Sequence, residues 1–436
     1  MLRRAAVVAA ARVSATGVRM HQRLPRRGLS DLNPPPKPPP SAVGTRASSS
    51  IHPGKLAAIV PGLGLAFGVA QGGFGLAEEI STRTGVSVSG VPVAILTGAL
   101  INNLPSKALV NSALCRPGVG LASSTVLRVG IVCVGAKLSI MDVAAVGAYS
   151  VPIVLTSLST GLLVVPRIAK YAGLSPKLGA LLAVGTSVCG VTAVSALAPA
   201  IGATAVETSI AVANVAAFGT IGMLVLPQIA HQLLGTCSEA AGAFLGAGIH
   251  DTAQVFGAAL TYREKYGDDI AFDTAAVTKL TRNLSLALAI PFLATGVNTV
   301  GSSNRGTNSV GASKPALIRK AIPPFLLAFL LASVVRSTGD AYVAELNNEE
   351  TKNNWKKLVN FVGTEFGAKQ CLGTAMAAVG LNLSFAGFRG VGVTPFLVGG
   401  AGAVVVSGVG LAGAFGLATV LQATRGDESE TREKDA

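Results

Sequence analysis

One apolar stretch carries polar residues where a membrane helix normally has none. Residues 176–202 are apolar for the length of a membrane span. Lipid offers no partner for polar backbone groups, so the pattern predicts a helix that breaks inside a protein-walled cavity. The N-terminus of the following half-helix would present free N–H groups and partial positive charge, which suits an anion. Close helix packing through small residues is the alternative interpretation. The candidate anion-binding residues are Gly185, Thr186, Ser187, Cys189, Gly190 and Thr192.

Three cationic residues lie inside other apolar stretches. Arg128 is near the centre of one, and Lys279 and Arg282 share one side of a predicted helix, three residues apart. A charge at mid-membrane costs roughly 2.5 to 3.5 kcal/mol on insertion scales, so these side chains should face the protein interior and have partners. Because a guanidinium offers paired donors to oxyanions, we interpret all three as candidate anion ligands. Structural ion pairs are the alternative.

His250 and Asp251 form the most suggestive titratable pair, with Gln254 one turn further on. Histidine changes charge near neutral pH, and an adjacent carboxylate favours its charged form. The three residues are therefore candidates for coupling a proton to transport. The alternative is a structural network in which Asp251 pairs with Lys279 or Arg282.

The composition is that of an integral membrane protein. Of 436 residues, 50% are hydrophobic and 13% are charged, whereas soluble domains carry about 25% charged residues. The 52 glycines and 22 prolines are tolerated where neighbouring helices satisfy a broken backbone. We predict an all-α membrane protein of about eleven transmembrane helices. Its apolar stretches are 56–76, 90–103, 119–139, 143–166, 178–202, 208–234, 240–260, 275–297, 315–335, 368–385 and 394–422.

The order of landmarks along the chain predicts two inverted repeats. Gly98–Asn103 aligns with Gly246–Asp251, each next span contains an arginine, and Gly185-Thr186 aligns with Gly373-Thr374. We predict five-helix units at about 90–235 and 240–422 plus one extra helix, and a second broken, crossing helix at 371–385. Thr374 and Asn382 then become candidate substrate ligands from the second unit. Chance similarity among glycine-rich helices is the alternative.

Five ordered motifs also resemble a known family. They are GTSVCGVTAVSALAPAI, GAGIHDTAQVFGAA, TKLTRNLSLALAIPF, IPPFLLAFL and AMAAVGLNLSF. Together they resemble the YeiH-type family of multi-pass membrane proteins assigned to sulfate export. That family is similar in architecture to the sodium/proton antiporters and bile-acid symporters, whose two discontinuous helices cross at the substrate site. The resemblance implies a transporter, and it extends over about residues 56 to 420.

The first 50 residues resemble an organellar transit peptide followed by a proline-rich linker. They contain eight arginines and Lys37 but only one acid, Asp31, and so contribute +8 of the net charge of +14. Because this excess lies in a detachable terminus, a nucleic-acid partner is not expected. We expect residues 1–50 to be disordered, the protein to lie in the mitochondrial inner membrane, and residues 423–436 to form a polar tail. A plastid, or a basic cytosolic tail on a plasma-membrane protein, is the alternative.

The function predicted from the sequence is secondary active transport of a small anion such as sulfate, sulfite or a sulfonate, coupled to protons or another ion. A channel and an intramembrane enzyme are the alternatives, although no HExxH, GxSxG or paired-aspartate motif is present. The five scattered cysteines show no metal-binding pair, and we expect no cofactor. The oligomeric state is left open, a homodimer included.

We predict that a fluorescent fusion of residues 1–50 enters mitochondria, because a basic, acid-poor leader is drawn to the import machinery. Microscopy should show mitochondrial fluorescence, and sequencing of the imported fusion should show loss of the basic segment. Cytosolic fluorescence on an intact leader would contradict the assignment.

Overall fold

The computed structural model describes residues 53–104, 112, 114–286, 289, 293, 323–346, 348–384 and 392–435. The predicted leader lies outside these residues. Within them the chain is helical and contains no strand. In chain order the helices are α1 Pro53–Thr84, α2 Gly90–Asn103, α3 Arg116–Leu121, α4 Leu127–Gly135, α5 Ile140–Tyr171, α6 Pro176–Ser187, α7 Val191–Ala200, α8 Ala205–Leu234, α9 Ser238–Gly248, α10 Thr252–Tyr266, α11 Asp269–Leu284, α12 Pro324–Glu345, α13 Glu349–Asn360, α14 Gly373–Asn382 and α15 Val393–Asp435. A π-helical turn, Ala122–Val126, joins α3 to α4, and a π-helical segment, Phe361–Leu372, joins α13 to α14.

Six helical stretches of the described chain have the length and hydropathy needed to cross a membrane. They are Ile59–Thr84, Arg116–Gly135, Ile140–Tyr171, Ala205–Leu234, Pro324–Glu345 and Val393–Arg425. The remaining apolar stretches of the sequence contain helices that are shorter or broken. The chain is thus an all-helical, multi-pass membrane protein, and the full count of eleven spans stays a prediction.

Two helices of the described part of the chain are broken, and their breaks meet. The first break, Val188–Gly190, separates α6 from α7, and the second, Ile249–Asp251, separates α9 from α10. Gly190 has a φ of +68°, in the left-handed region that favours glycine. A Cβ at this glycine would lie 2.6 Å from the Asp251 carboxylate, so the two breaks are in direct contact. We call this junction the crossing.

The first break was predicted correctly, but the second was placed in the wrong helix. The predicted second break at 371–385 includes α14, which is helical from Gly373 to Asn382. The broken partner is instead the helix pair α9 and α10. Close packing keeps α14 regular, because the backbones of α2 and α14 approach so closely that a Cβ at Gly98 would lie 2.7 Å from the Ala377 carbonyl oxygen.

The aligned motifs of the two predicted repeats occupy similar local positions. Gly98–Asn103 ends α2, and Leu104 is extended; Gly246–Asp251 includes the end of α9, and Ile249 is extended. At the end of α2 the amides of Asn102 and Asn103 donate to the Leu383 carbonyl, at 3.2 and 2.7 Å. Each motif therefore ends a helix beside another helix end, as an inverted repeat requires, while the pseudo-two-fold axis itself stays a prediction.

We predict that Gly98→Ala lowers the stability of the purified protein by about 1 to 3 kcal/mol, because the added methyl would overpack the contact with α14. Gly72→Ala on α1 is the matched control, since a Cβ there meets open space. Thermal unfolding in detergent measures both. Equal unfolding midpoints for the two variants would show that the close approach of α2 and α14 is not needed for stability.

Candidate functional site

Two fully buried cations on α11 hold the crossing together. Lys279 and Arg282 have no solvent-exposed surface. The Lys279 ammonium donates to the carbonyl of Val188 at 3.2 Å and to that of Ile249 at 3.1 Å, and it also donates to the carbonyl of His250. All three donors of the ammonium are therefore engaged by the two broken backbones.

The Arg282 guanidinium binds the same two backbones one turn further along. Its Nε donates to the Ser187 carbonyl at 2.7 Å, and Nη2 donates to the Thr186 carbonyl at 2.7 Å. Its Nη1 donates to the carbonyls of Ala247 and Ile249, at 2.6 and 3.1 Å. Four of the five guanidinium donors are thus used, and each acceptor lies at the end of α6 or α9 or in the break that follows.

This arrangement is a shared cap for two helix C-termini. The last carbonyls of a helix have no partner within it and carry partial negative charge, so a cation stabilises them. Neither Lys279 nor Arg282 forms an ion pair with a carboxylate among the described residues. In this conformation the ammonium of Lys279 has no donor left for an anion. Lys279 and Arg282 were predicted as anion ligands. In the structure they bind the backbone carbonyls of the two breaks, and their positive potential acts through that backbone.

Asp251 caps the start of α10. Its Oδ1 accepts a hydrogen bond of 3.0 Å from the Ala253 backbone N–H, and its carboxylate is within hydrogen-bonding reach of the Val191 backbone N–H at the start of α7. Asp251 and the neighbouring Thr252 keep partial exposure, and Thr192 in the first turn of α7 is exposed. The N-terminal ends of α7 and α10 are therefore the less buried side of the crossing.

The other two proton-coupling candidates lie in different surroundings. His250 is 2% exposed, its ring reaches the Thr186 carbonyl, and its Nδ1 has no hydrogen-bond partner. Gln254 faces α8, where its amide donates to the Ala216 carbonyl and the Thr220 hydroxyl, both at 3.3 Å. Only His250 and Asp251 of this group are part of the crossing.

The small and hydroxyl-bearing residues near the first break divide between packing and the site. Gly185 packs against α8 at Val215, and the Thr186 hydroxyl donates to the Leu182 carbonyl of its own helix, at 2.9 Å. The buried Ser187 hydroxyl points at Gly161 of α5. Of the predicted hydroxyl donors, Thr192 is the one whose position at the start of α7 leaves it accessible.

Arg128, Thr374 and Asn382 lie away from the crossing. Arg128 is exposed on the surface of α4, because the opposite face of that helix packs through Gly130 against Leu372. We predicted that this arginine faces the interior, and the structure contradicts that orientation. Thr374 is buried in α14, and Asn382 at the end of α14 donates to the Ser123 hydroxyl at 3.2 Å. The described contacts of these residues do not reach Lys279 or Arg282.

Sequence reasoning missed two polar residues of the site, Thr252 and Asn283. The Asn283 side chain is 2% exposed, its Nδ2 donates to the Thr252 hydroxyl at 3.3 Å, and its Oδ1 has no partner. An asparagine directly after two buried cations was the available signal. Asn283 thus places an amide oxygen without a hydrogen-bond partner beside the start of α10.

A separate polar cleft of about 580 Å³ lies near the other end of α10. It is lined by Arg263 and Glu264 together with Glu78, Glu365 and Lys369. Arg263 follows Asp251 by twelve residues, which is about 18 Å along a helix. The Glu264 carboxylate accepts from the Ser89 hydroxyl and the Gly90 N–H, at 2.7 and 3.0 Å, and thus caps α2.

Comparisons with known proteins agree on one kind of relative. The model of a family described as conserved hypothetical protein 698 matches residues 61–399. A UPF0324 membrane protein of Fusobacterium nucleatum is 28% identical over 317 residues, which is 72% of this chain and 86% of the relative. A UPF0324 membrane protein of Bacillus cereus is 30% identical over 299 residues, or 67% of this chain and 78% of the relative. No solved structure matches the chain significantly.

We predict that Lys279→Met destabilises the protein by about 2 to 6 kcal/mol, because the buried carbonyls of Val188 and His250 lose their donor at about 1 to 3 kcal/mol each, whereas that of Ile249 keeps its bond from Arg282. Lys177→Met is the matched control, since that lysine donates only to the Gly202 carbonyl on an exposed surface. Unfolding in detergent compares the two. A Lys279→Met midpoint equal to that of Lys177→Met would show that the ammonium is not a required cap.

Proposed function

The chain belongs to the family described as conserved hypothetical protein 698, and on that premise we propose that it is a secondary active transporter of a small anion. The observation that carries this proposal is the crossing, where two broken helices meet at buried cations that no described carboxylate pairs with. Broken helices that meet inside the membrane are the usual site of ion and substrate binding in transporters.

The charge of the crossing favours an anion as cargo. Lys279 and Arg282 contribute two positive charges, and Asp251 contributes one negative charge when ionised. The C-terminal helix ends are already neutralised by hydrogen bonds to the cations, whereas the starts of α7 and α10 are positive and accessible. An anion bound there would meet the N–H groups of both helices and the Thr192 and Thr252 hydroxyls. Sulfate, sulfite and sulfonates are the cargo candidates.

Proton coupling is assigned to His250 and Asp251. They are adjacent, they lie in the second break, and each changes charge on binding a proton. The side-chain contacts of Gln254 direct it to α8, so its contribution would be to hold α10 in place. Movement of the crossing between two orientations would then expose the site to either side of the membrane in turn.

The setting proposed for this activity is the mitochondrial inner membrane, on the strength of the basic leader. The bacterial relatives are described as membrane proteins. The eleven-span, inverted-repeat arrangement belongs to the proposal as well, because it would give the protein two related conformations.

The test is uptake by the purified protein in liposomes. Labelled sulfate, sulfite, a sulfonate and a small carboxylate are each offered with and without an imposed pH gradient. We expect one cargo to accumulate against its own gradient, by up to about tenfold per pH unit if one proton moves per anion. Empty liposomes and a proton ionophore that collapses the gradient are the controls. Uptake that only follows the cargo gradient would indicate a channel, and no uptake of any anion would contradict the proposal.

A further inference from the structure

The carboxylate of Asp251 occupies the place where an anion would bind. It accepts from the Ala253 N–H of α10 at 3.0 Å and lies within reach of the Val191 N–H of α7. Gly190 makes this possible, because a Cβ at that position would lie 2.6 Å from Oδ2. One side chain of the protein thus binds a backbone donor at the start of α10 and lies close to one at the start of α7, and both are donors that an incoming anion needs.

An unsatisfied polar group lies at the same helix start. The Asn283 amide contacts Thr252, the first residue of α10, and leaves its buried Oδ1 without a partner. The ring of His250, the residue before Asp251, is directed to the Thr186 carbonyl, and its buried Nδ1 is also without a partner. Buried polar atoms are normally satisfied, so the Asn283 Oδ1 beside this helix start indicates a place for a further ligand.

Two described groups bear on the charge of Asp251. Lys279 approaches it from α11, and the Cys189 thiol approaches it from the first break. Arg282 lies one turn beyond Lys279 on α11, and the ring of His250 is directed to the Thr186 carbonyl. Asp251 forms no ion pair within 4 Å with a described cation. Its ionised carboxylate nevertheless lowers the positive potential of the crossing, and it would repel an anion at the same helix starts.

We propose, resting on the transport function above, that Asp251 is a tethered competitor of the transported anion. When the carboxylate takes up a proton from solvent, it becomes a neutral carboxyl group and releases the backbone N–H donors. The anion then binds those donors. When the anion leaves on the other side, the proton returns to solvent and the carboxylate occupies the helix starts again. One proton therefore accompanies each anion.

The net charge of the crossing also favours one class of anion over another. With Asp251 protonated, Lys279 and Arg282 leave two positive charges, and the partial charges of two helix starts and two helix ends cancel. A dianion neutralises the crossing, whereas a monoanion leaves one charge uncompensated in a low-dielectric setting. The site thus fits a small dianionic oxyanion whose oxygens can take the place of the Asp251 carboxylate oxygens.

Binding to the purified full-length chain in detergent tests this without requiring transport. Titration calorimetry from pH 5.5 to 8.5 uses sulfate as the dianion and methanesulfonate as the monoanion. Wild-type affinity for sulfate should rise about tenfold for each unit of falling pH over the range in which Asp251 is ionised. Asp251→Asn should bind sulfate at least as tightly as the protonated wild type, and independently of pH. Asp269→Asn, an exposed acid paired with Lys137, should keep the wild-type pH dependence.

Asp251→Ser is the second variant if the asparagine variant does not fold, because serine caps a helix without charge. Weaker sulfate binding by both uncharged variants, or a wild-type pH dependence retained in either, would overturn the proposal. So would wild-type affinity that does not change with pH. Preference for methanesulfonate in Asp251→Asn would overturn the dianion assignment. Absence of binding to all proteins, with no uptake in liposomes, would contradict the anion-transport function itself, and this inference with it.

Discussion

The structure depends on a supply of hydrogen-bond donors to carbonyl groups that end two helices inside the membrane. A break in a transmembrane helix leaves carbonyls that lipid cannot satisfy. Here Lys279 and Arg282 of α11 satisfy those of both breaks at once. Because the donors are charged, each hydrogen bond is stronger than a neutral one and also offsets the negative helix ends. Without these donors the carbonyl groups of both breaks would be unsatisfied, and the two breaks would not be stable.

The cations that bind the C-terminal carbonyls of α6 and α9 also affect the electrostatics at the N-terminal starts of α7 and α10. The starts of α7 and α10 keep their partial positive charge, with Asp251 as the one described carboxylate that caps α10 and lies beside the start of α7. The crossing is therefore asymmetric: one side is closed by cationic side chains bound to backbone carbonyls, and the other is closed by a carboxylate that can take up a proton. That asymmetry is what a site needs if it must hold a ligand and then release it.

The sequence predicted those features that depend on residues close to one another in the chain. Polar residues within an apolar stretch marked the break at 188–190, and three-residue spacing placed Lys279 and Arg282 on one helix face. The second break was misplaced because Gly373-Thr374 resembles Gly185-Thr186, while the stability of a break depends on donors from a distant helix. Asp251 was interpreted as a proton carrier or as an ion-pair partner of Lys279 or Arg282, although its position one residue before Thr252 also fits a helix cap. The outward direction of Arg128 depends on which face of α4 packs, and a single sequence does not contain that information.

The contact between Arg282 and Ser187 also bears on how the chain enters the membrane. These residues are 95 positions apart, so α6 and α7 precede α11 when insertion follows the order of the chain. During that interval the first broken helix lacks the side chain that completes it. The entering chain must therefore keep α6 and α7 in a hydrated or protein-lined place until α11 arrives. Insertion of this protein cannot proceed as a simple succession of finished helices, and a chain truncated before α11 would carry an unsatisfied break into the bilayer.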